Sequence, residues 1–197
     1  MIKKSDLKLV PQDSAYLHTA PAPFIFNGEI DAEMFSRLLT DRMLELGGVG
    51  LSANQVGVNC RVFVMGTKEF QTVLFNPTIK VTSAEEVSLD EGCLSFPGIY
   101  MKVSRPKSVM VRYQNSKGEY IDDEYHGLTA RVFLHEYDHM EGKTFKGKVS
   151  KMKWDLAYNR MVKRTKKIIR KGVQSQLLNI QKQIKEQNVD NSTRVSN

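Results

Sequence analysis

The stretch VFLHEYDHMEG, residues 132–142, holds two of the chain's four histidines, four residues apart, with a glutamate directly after the first. Positions i and i+4 of a helix lie on one face a turn apart. His135 and His139 therefore present their imidazoles to a single point, while Glu136 projects to an adjacent side, where a bound water would sit. Leu128, Val132, Leu134 or His135, and His139 recur at helical intervals, and Gly142 offers a left-handed cap, so the spacing predicts a helix that starts near Leu128 and stops at Gly142. This HExxH helix is the element around which the rest is expected to pack.

Upstream, residues 29–46 place Met34, Leu38, Leu39, Met43, Leu44 and Leu46 close to helical spacing, with Asp31 available as a cap. GGVG at 47–50 should stop that helix and let the backbone come close to something. RVFVMG, TVLFNP, the stretch around IKVTS, YMKVSR, SVMVRYQ and EYIDDEY are short, rich in β-branched and aromatic residues, and separated by Gly, Pro or Asn, which predicts strands. NSKG between the last two reads as a hairpin turn. The expected fold class is α+β: antiparallel or mixed β-sheets packed around a central HExxH helix, with an N-terminal helix and a C-terminal amphipathic basic helix.

With 197 residues, 41% hydrophobic and 26% charged, the chain can bury one substantial core. The expected organisation is a catalytic domain over residues 1–150, a basic helix over 151–172, and a polar tail over 173–197 that begins helical and becomes disordered at NVDNSTRVSN. Neither a signal-like apolar stretch at the N-terminus nor a run of membrane-spanning length is visible, so a cytoplasmic protein is expected. Cys60 and Cys93 lack paired spacing, which argues against a disulfide framework. Charge is uneven: residues 143–171 hold twelve Lys/Arg against Asp155, a net of +11 in a chain whose total is +7. Trp154, Tyr158, Met161, Val162, Ile168 and Ile169 thread an apolar stripe through that segment.

Two histidines do not complete a metal site; a catalytic centre normally takes three protein ligands and leaves a position for water. The protease pattern HExxHxxGxxH needs a histidine three residues after its glycine, but Lys143, Thr144 and Phe145 follow Gly142. A downstream glutamate ligand has only Asp155 as a weak substitute. His18, His126, Cys60 and Cys93 remain. Cys60 in VNCRVFV reads as a small buried thiol. Cys93 in EGCLSFPG is enclosed by Gly92 and Pro97–Gly98, a shaped turn that can aim its side chain and its neighbours' amides at one point. A thiolate and two neutral imidazoles would leave a divalent ion enough charge to acidify water.

GVGLSANQ at 48–55, EGCLS at 91–95 and HEYDH at 135–139, in that order, resemble the three motifs of the peptide deformylases; the likeness covers roughly residues 5–150. It implies a hydrolase that removes the N-formyl group from the formylmethionine of nascent polypeptides and releases formate. It further implies that Cys93, His135 and His139 hold one divalent ion, with iron(II) usual and zinc, nickel or cobalt able to replace it. Glu136 would be the general acid/base working on a hydroxide at the metal, and Gln55 with the backbone N–H of Leu94 would stabilise the oxyanion. Val49, Gly50 and Gly92 would offer backbone for an extended substrate to add as a strand. A metallopeptidase of the HExxH type is the alternative.

Orienting partners are expected around the ligands. Asp138 and Glu91 stand beside them, and Arg105 is expected to pair with one of the two. Ser52, where the family commonly has alanine, should be harmless, and Leu134 stands where glutamine is common. Arg131, one turn before His135, occupies a position that is aliphatic in many members and lines the methionine pocket; it would either snorkel out or narrow and polarise that pocket. The resemblance also implies that the basic segment docks on the ribosome through RNA phosphates.

Overall fold

The structure is a computed structural model that describes residues 2–194, with side chains described as far as residue 179. It divides into two compact units, Met1–Trp154 and Asp155–Asn197. In the first unit a single turn α1 (Ala15–His18) precedes helix α2 (Ala32–Glu45). Asp31 caps α2 as expected, its Oδ1 accepting from the Met34 amide at 2.6 Å.

Among the described residues seven strands follow, and every ladder is antiparallel. Strands β1 (Gly50–Ser52), β2 (Val62–Gly66), β3 (Gln71–Thr82), β6 (Ser108–Gln114) and β7 (Tyr120–His126) form one sheet in the order β1-β2-β3-β6-β7. Strands β4 (Glu86–Gly92) and β5 (Tyr100–Pro106) pair only with each other. The expectation of antiparallel or mixed sheets thus resolves to antiparallel throughout.

Two strand expectations need correction. TVLFNP and IKVTS are one strand, because the register shifts between Phe75 and Thr78 and again between Ile79 and Val81. Such bulges let Pro77 sit in a strand without a missing ladder bond. Asn76, at φ 48°, uses its side chain there to bind both backbone groups of Phe24. β4 was not expected at all: EVSLDEG is acidic and mostly exposed, and its only ladder is the one with β5.

Strand β2 locates the core. Its alternating side chains are buried on both faces, Val62 and Val64 with Phe35, Leu39 and Met43 of α2, and Phe63 and Met65 with Ala130 and Phe133 of helix α3 (Gly127–Met140). Phe63 and Phe133 meet edge to face with ring centroids 5.4 Å apart, so Phe133→Ala would cost about 3–5 kcal/mol. Helix α3 is the predicted HExxH helix. It ends at Met140, and Gly142 takes the left-handed conformation, φ 64°. Strands β6 and β7 turn through Asn115 to Gly118, as NSKG predicts.

Helix α4 (Lys151–Arg194) opens in the first unit, where Trp154 packs edge to face on Phe96 and Phe145. It continues as the second unit, where Ile168, Ile169, Val173 and Leu177 are exposed. The helix passes through Gly172, where a stop was expected, and includes residues 188–194 of the expected disordered end. A glycine costs a helix only about 1 kcal/mol relative to alanine, the segment has no proline, and each added residue needs no new nucleus. The final residues of the expected tail, 195–197, lie outside the described residues.

Candidate active site

Three elements deliver the chemistry to one place. Helix α3 carries His135, Glu136 and His139; the turn after β4 carries Cys93 and Leu94; a 3₁₀ turn, Ala53–Val56, directly after β1 carries Gln55. The ligand atoms of Cys93, His135 and His139 all lie within 4.8 Å of one another. Cys93 Sγ stands 3.5 Å from His139 Nε2. Two donors on one small ion, at the usual bond lengths of about 2.3 Å to sulfur and 2.0 Å to nitrogen, would be about 3.5 Å apart. His135 turns Nδ1 to Glu91 Oε2 at 3.1 Å, which leaves Nε2 for the centre.

The two imidazoles sit in opposed electrostatic surroundings. Burial opposes charge on His135, but its hydrogen bonds to Cys93 and Glu91 and the nearby Glu136 carboxylate push its pKa up to about 10. Burial, with the charge of His135 beside it, holds His139 well below the ordinary histidine range. One soft sulfur and two imidazoles around such a point fit a divalent first-row ion. His18 and His126, the other histidines considered, lie elsewhere: His18 faces the Gln12 carbonyl and His126 is exposed beside Glu124. Cys60 is the buried thiol expected, its pKa pushed up to about 12 by burial.

The Gln55 amide has one orientation. Its Oε1 accepts from the Ser52 backbone N–H at 2.9 Å, and a backbone N–H can only donate, so the NH₂ must face the other way. There it donates to Ser95 Oγ at 2.9 Å and points to Cys93 Sγ at 3.4 Å. The Ser52 hydroxyl lies 3.0 Å from the same Oε1 and 2.8 Å from Asn54 Oδ1. Asn54 in turn donates to the His139 carbonyl at 2.8 Å, tying the Gln55 turn to α3. Sequence reasoning missed Ser52, Asn54 and Ser95 as supports of Gln55, although all three lie in the quoted motifs.

Glu136 is buried, and its Oε2 has no hydrogen-bond partner among the described residues. Burial pushes its carboxyl up to about 7, against the pull of His135 and Arg105. On its other side stands Gly50, where a Cβ would overlap the carboxylate. The Val49 carbonyl accepts from Gly66 at 2.9 Å, and Gly50 is opposite Met65 in the next pair. By ladder alternation the N–H and C=O of Gly50 therefore face away from β2, along the open edge of β1.

Beneath the ligands lies a buried cluster of charge. Arg105 grips both oxygens of Glu91 (2.6 and 2.9 Å) and also Asp138 at 2.9 Å, so it pairs with both carboxylates where one was expected. Burial works against ionised Glu91, but His135 and Arg105 outweigh it and hold the carboxyl at about 2. Arg131 neither snorkels out nor stands free in the pocket. It is buried, with Nη1 2.6 Å from Glu91 Oε1 and 2.9 Å from the Val103 carbonyl, and Nη2 donating to the Val87 carbonyl.

A cavity of about 520 Å³ opens beside the centre. Cys93, His135, Glu136, Arg131, Val49 and Gly92 are among the residues that line it. A mostly apolar cavity with a few convergent polar groups is the usual form of a small-ligand site.

The family model for polypeptide deformylase matches residues 8–154. The chain belongs to the peptide deformylase family. The match is close to the span of roughly 5–150 expected from the three motifs. A peptide deformylase of Thermotoga sp. (strain RQ2) is 41% identical over 115 residues, 58% of this chain and 70% of that protein. Among solved structures, a peptide deformylase from Legionella pneumophila aligns with a TM-score of 0.74 at 32% identity, covering 83% of this chain and 97% of the other. One from Synechococcus elongatus in complex with actinonin aligns with a TM-score of 0.74 at 31% identity, covering 82% and 88%. The chain is accordingly a hydrolase of the amidohydrolase kind that removes the N-formyl group from nascent polypeptides. A Cys/His/His group able to hold a metal is present, as the family's metal dependence requires.

Proposed function

We propose that Cys93, His135 and His139 hold one divalent ion, iron(II) in the resident form, and that the chain deformylates the formylmethionine of nascent polypeptides in the cytoplasm. The observation that carries this reading is the convergence of those three donors beside a buried carboxylate, Glu136, that has an unpartnered oxygen. Zinc, nickel or cobalt would suit the same donors. A bound ion supplies Lewis acidity at the formyl oxygen and lowers the pKa of water.

The protein's own groups do the rest. Glu136, with a pKa of about 7, takes a proton from the attacking water and returns it to the amine as the C–N bond breaks, so that formate and a free N-terminus leave. The Gln55 N–H that faces Cys93, together with the Leu94 amide, meets the negative charge on the formyl oxygen. The outward backbone of Gly50, with Val49 beside it and Gly92 across the cleft, pairs with the substrate main chain and so accepts many sequences after the first residue. Glu136→Gln tests the assignment: metal content should stay at the parental level while formate release from formyl-Met-Ala-Ser falls about 10²–10⁴-fold. Undiminished release, or cleavage of internal peptide bonds by the parent, would contradict it.

The basic segment 143–171 supports a second part of the proposal, docking on ribosomal RNA phosphates. Its twelve Lys/Arg against one acid suit that partner. Co-sedimentation with ribosomes should weaken steeply between 50 and 200 mM salt; sedimentation independent of salt would sink the idea. No helix among the described residues is long and apolar enough to cross a membrane.

A further inference from the structure

Two arginines cross between α3 and the β4–β5 hairpin in opposite directions. From the helix, Arg131 reaches one backbone carbonyl on each strand, Val87 on β4 and Val103 on β5. From the hairpin, Arg105 reaches the Leu134 carbonyl of the helix at 3.1 Å and the Asp138 side chain at 2.9 Å. Both arginines share Glu91, which also holds His135. The arrangement is reciprocal, each element gripping the other's main chain.

Its importance comes from topology. The hairpin pairs with neither edge of the five-stranded sheet. Backbone bonds of Ser83 with Ser108 and Lys107 with Glu85 tie its base to the β3–β6 pair, but no ladder among the described residues fixes on α3 the end that leads into Cys93, while α3 carries the two histidines. The distance between sulfur and imidazoles depends on how the hairpin sits on the helix. Arg105 ties the hairpin to α3 from β5 alone, at Leu134 and Asp138; Arg131 adds a hold on the backbone of both strands, at Val103 and Val87.

We propose that Arg131 is a positioning residue of the metal centre: with Arg105 it forms a reciprocal clamp that sets the Cys93 turn against His135 and His139. The inference rests on those three residues being the metal ligands. Arg131 also lines the substrate cavity while its guanidinium holds the hairpin. That second duty means KM alone cannot reveal the clamp.

The test uses the full chain loaded with cobalt(II), whose visible bands report thiolate ligation and site geometry. Affinity is measured by chelator competition, and kcat and KM with formyl-Met-Ala-Ser. Arg131→Met keeps an apolar stem but no donors. It should weaken cobalt binding about 10–100-fold, shift the bands, and lower kcat by a larger factor than it raises KM. Arg131→Lys retains charge with fewer aligned donors and should fall between the two; it decides the matter by the same readouts if Arg131→Met does not fold. Arg112→Met, which breaks an exposed pair with Asp122, should match the parent throughout. Parental affinity and bands in the Arg131 variant, with any change confined to KM, would overturn the clamp while leaving the metal centre intact. A parent that binds no cobalt, or a Cys93→Ala variant with unaltered bands, would instead overturn the ligand assignment and the clamp with it.

Discussion

The carboxylate of Glu136 lies directly against the Cα of Gly50, so an atom of helix α3 and the edge strand β1 share a space that no other residue type at position 50 would leave open. The contact joins the proposed proton carrier to the strand edge on which substrate would lie. Gly50→Ala is expected to displace the carboxylate and reduce kcat about 100-fold, because a misplacement of about 1 Å at a catalytic group costs that much. Thermal unfolding should change far less than the rate. Parental kcat in the alanine variant would show that Glu136 has room the structure does not give it.

Ser52 carries a smaller prediction. Its backbone N–H holds Gln55 Oε1 whatever the side chain, and its hydroxyl adds a second contact to the same oxygen. Ser52→Ala should therefore lower kcat/KM by less than about 10-fold, the equivalent of one neutral hydrogen bond. Gln55→Ala, measured beside it, should lose more, since the donor itself is gone.

Chelation should release the ion, abolish formate release and lower Tm. A ligand present at 100 times its dissociation constant contributes about 2.7 kcal/mol to stability. Adding cobalt or nickel should restore both properties, and calorimetry on the chelated and reloaded protein measures the difference directly. A Tm indifferent to metal would mean that the ion does not bind the folded centre preferentially.

Arg61 predicts stability without catalysis. Its Nη1 donates to the Met140 carbonyl at 2.6 Å, and its Nη2 pairs with Glu141 at 2.9 Å, where the helix α3 dipole ends. The guanidinium also lies 5.8 Å from the centroid of Tyr137. Arg61→Ala should cost about 1–2 kcal/mol, a Tm decrease of about 2–8 °C for a protein of this size. At a temperature where it is folded, kcat should stay within a few-fold of the parent.

Much of the fold was legible because local periodicity coincides with burial. Helix α2 and its Asp31 cap, α3 and its Gly142 stop, and the alternating strands β5 and β6 each announce themselves within a dozen residues. β4 was hidden because its alternation stops after Val87 and Leu89, and its remaining positions are acidic or small and mostly exposed. The length of α4 was hidden because Gly172 and a polar end look like stops, whereas a helix already nucleated tolerates both.

The sequence by itself determined the donor types and their order: the i, i+4 histidines and adjacent glutamate on one helix, the cysteine in its glycine-bounded turn, and the glutamine beyond GVG. These are properties of chemistry and short spacing, which the chain carries locally. Only the tertiary structure decided what surrounds them. Glu91 collects two arginines from elements 14 and 40 residues away, and Gly50 meets Glu136 across the core. Arg131, whose side chain could snorkel out or narrow and polarise the pocket, lines the cavity yet sends its guanidinium into a buried cluster. Its destination depends on carbonyls of a hairpin far along the chain, and contacts of that kind leave no period in the sequence to read.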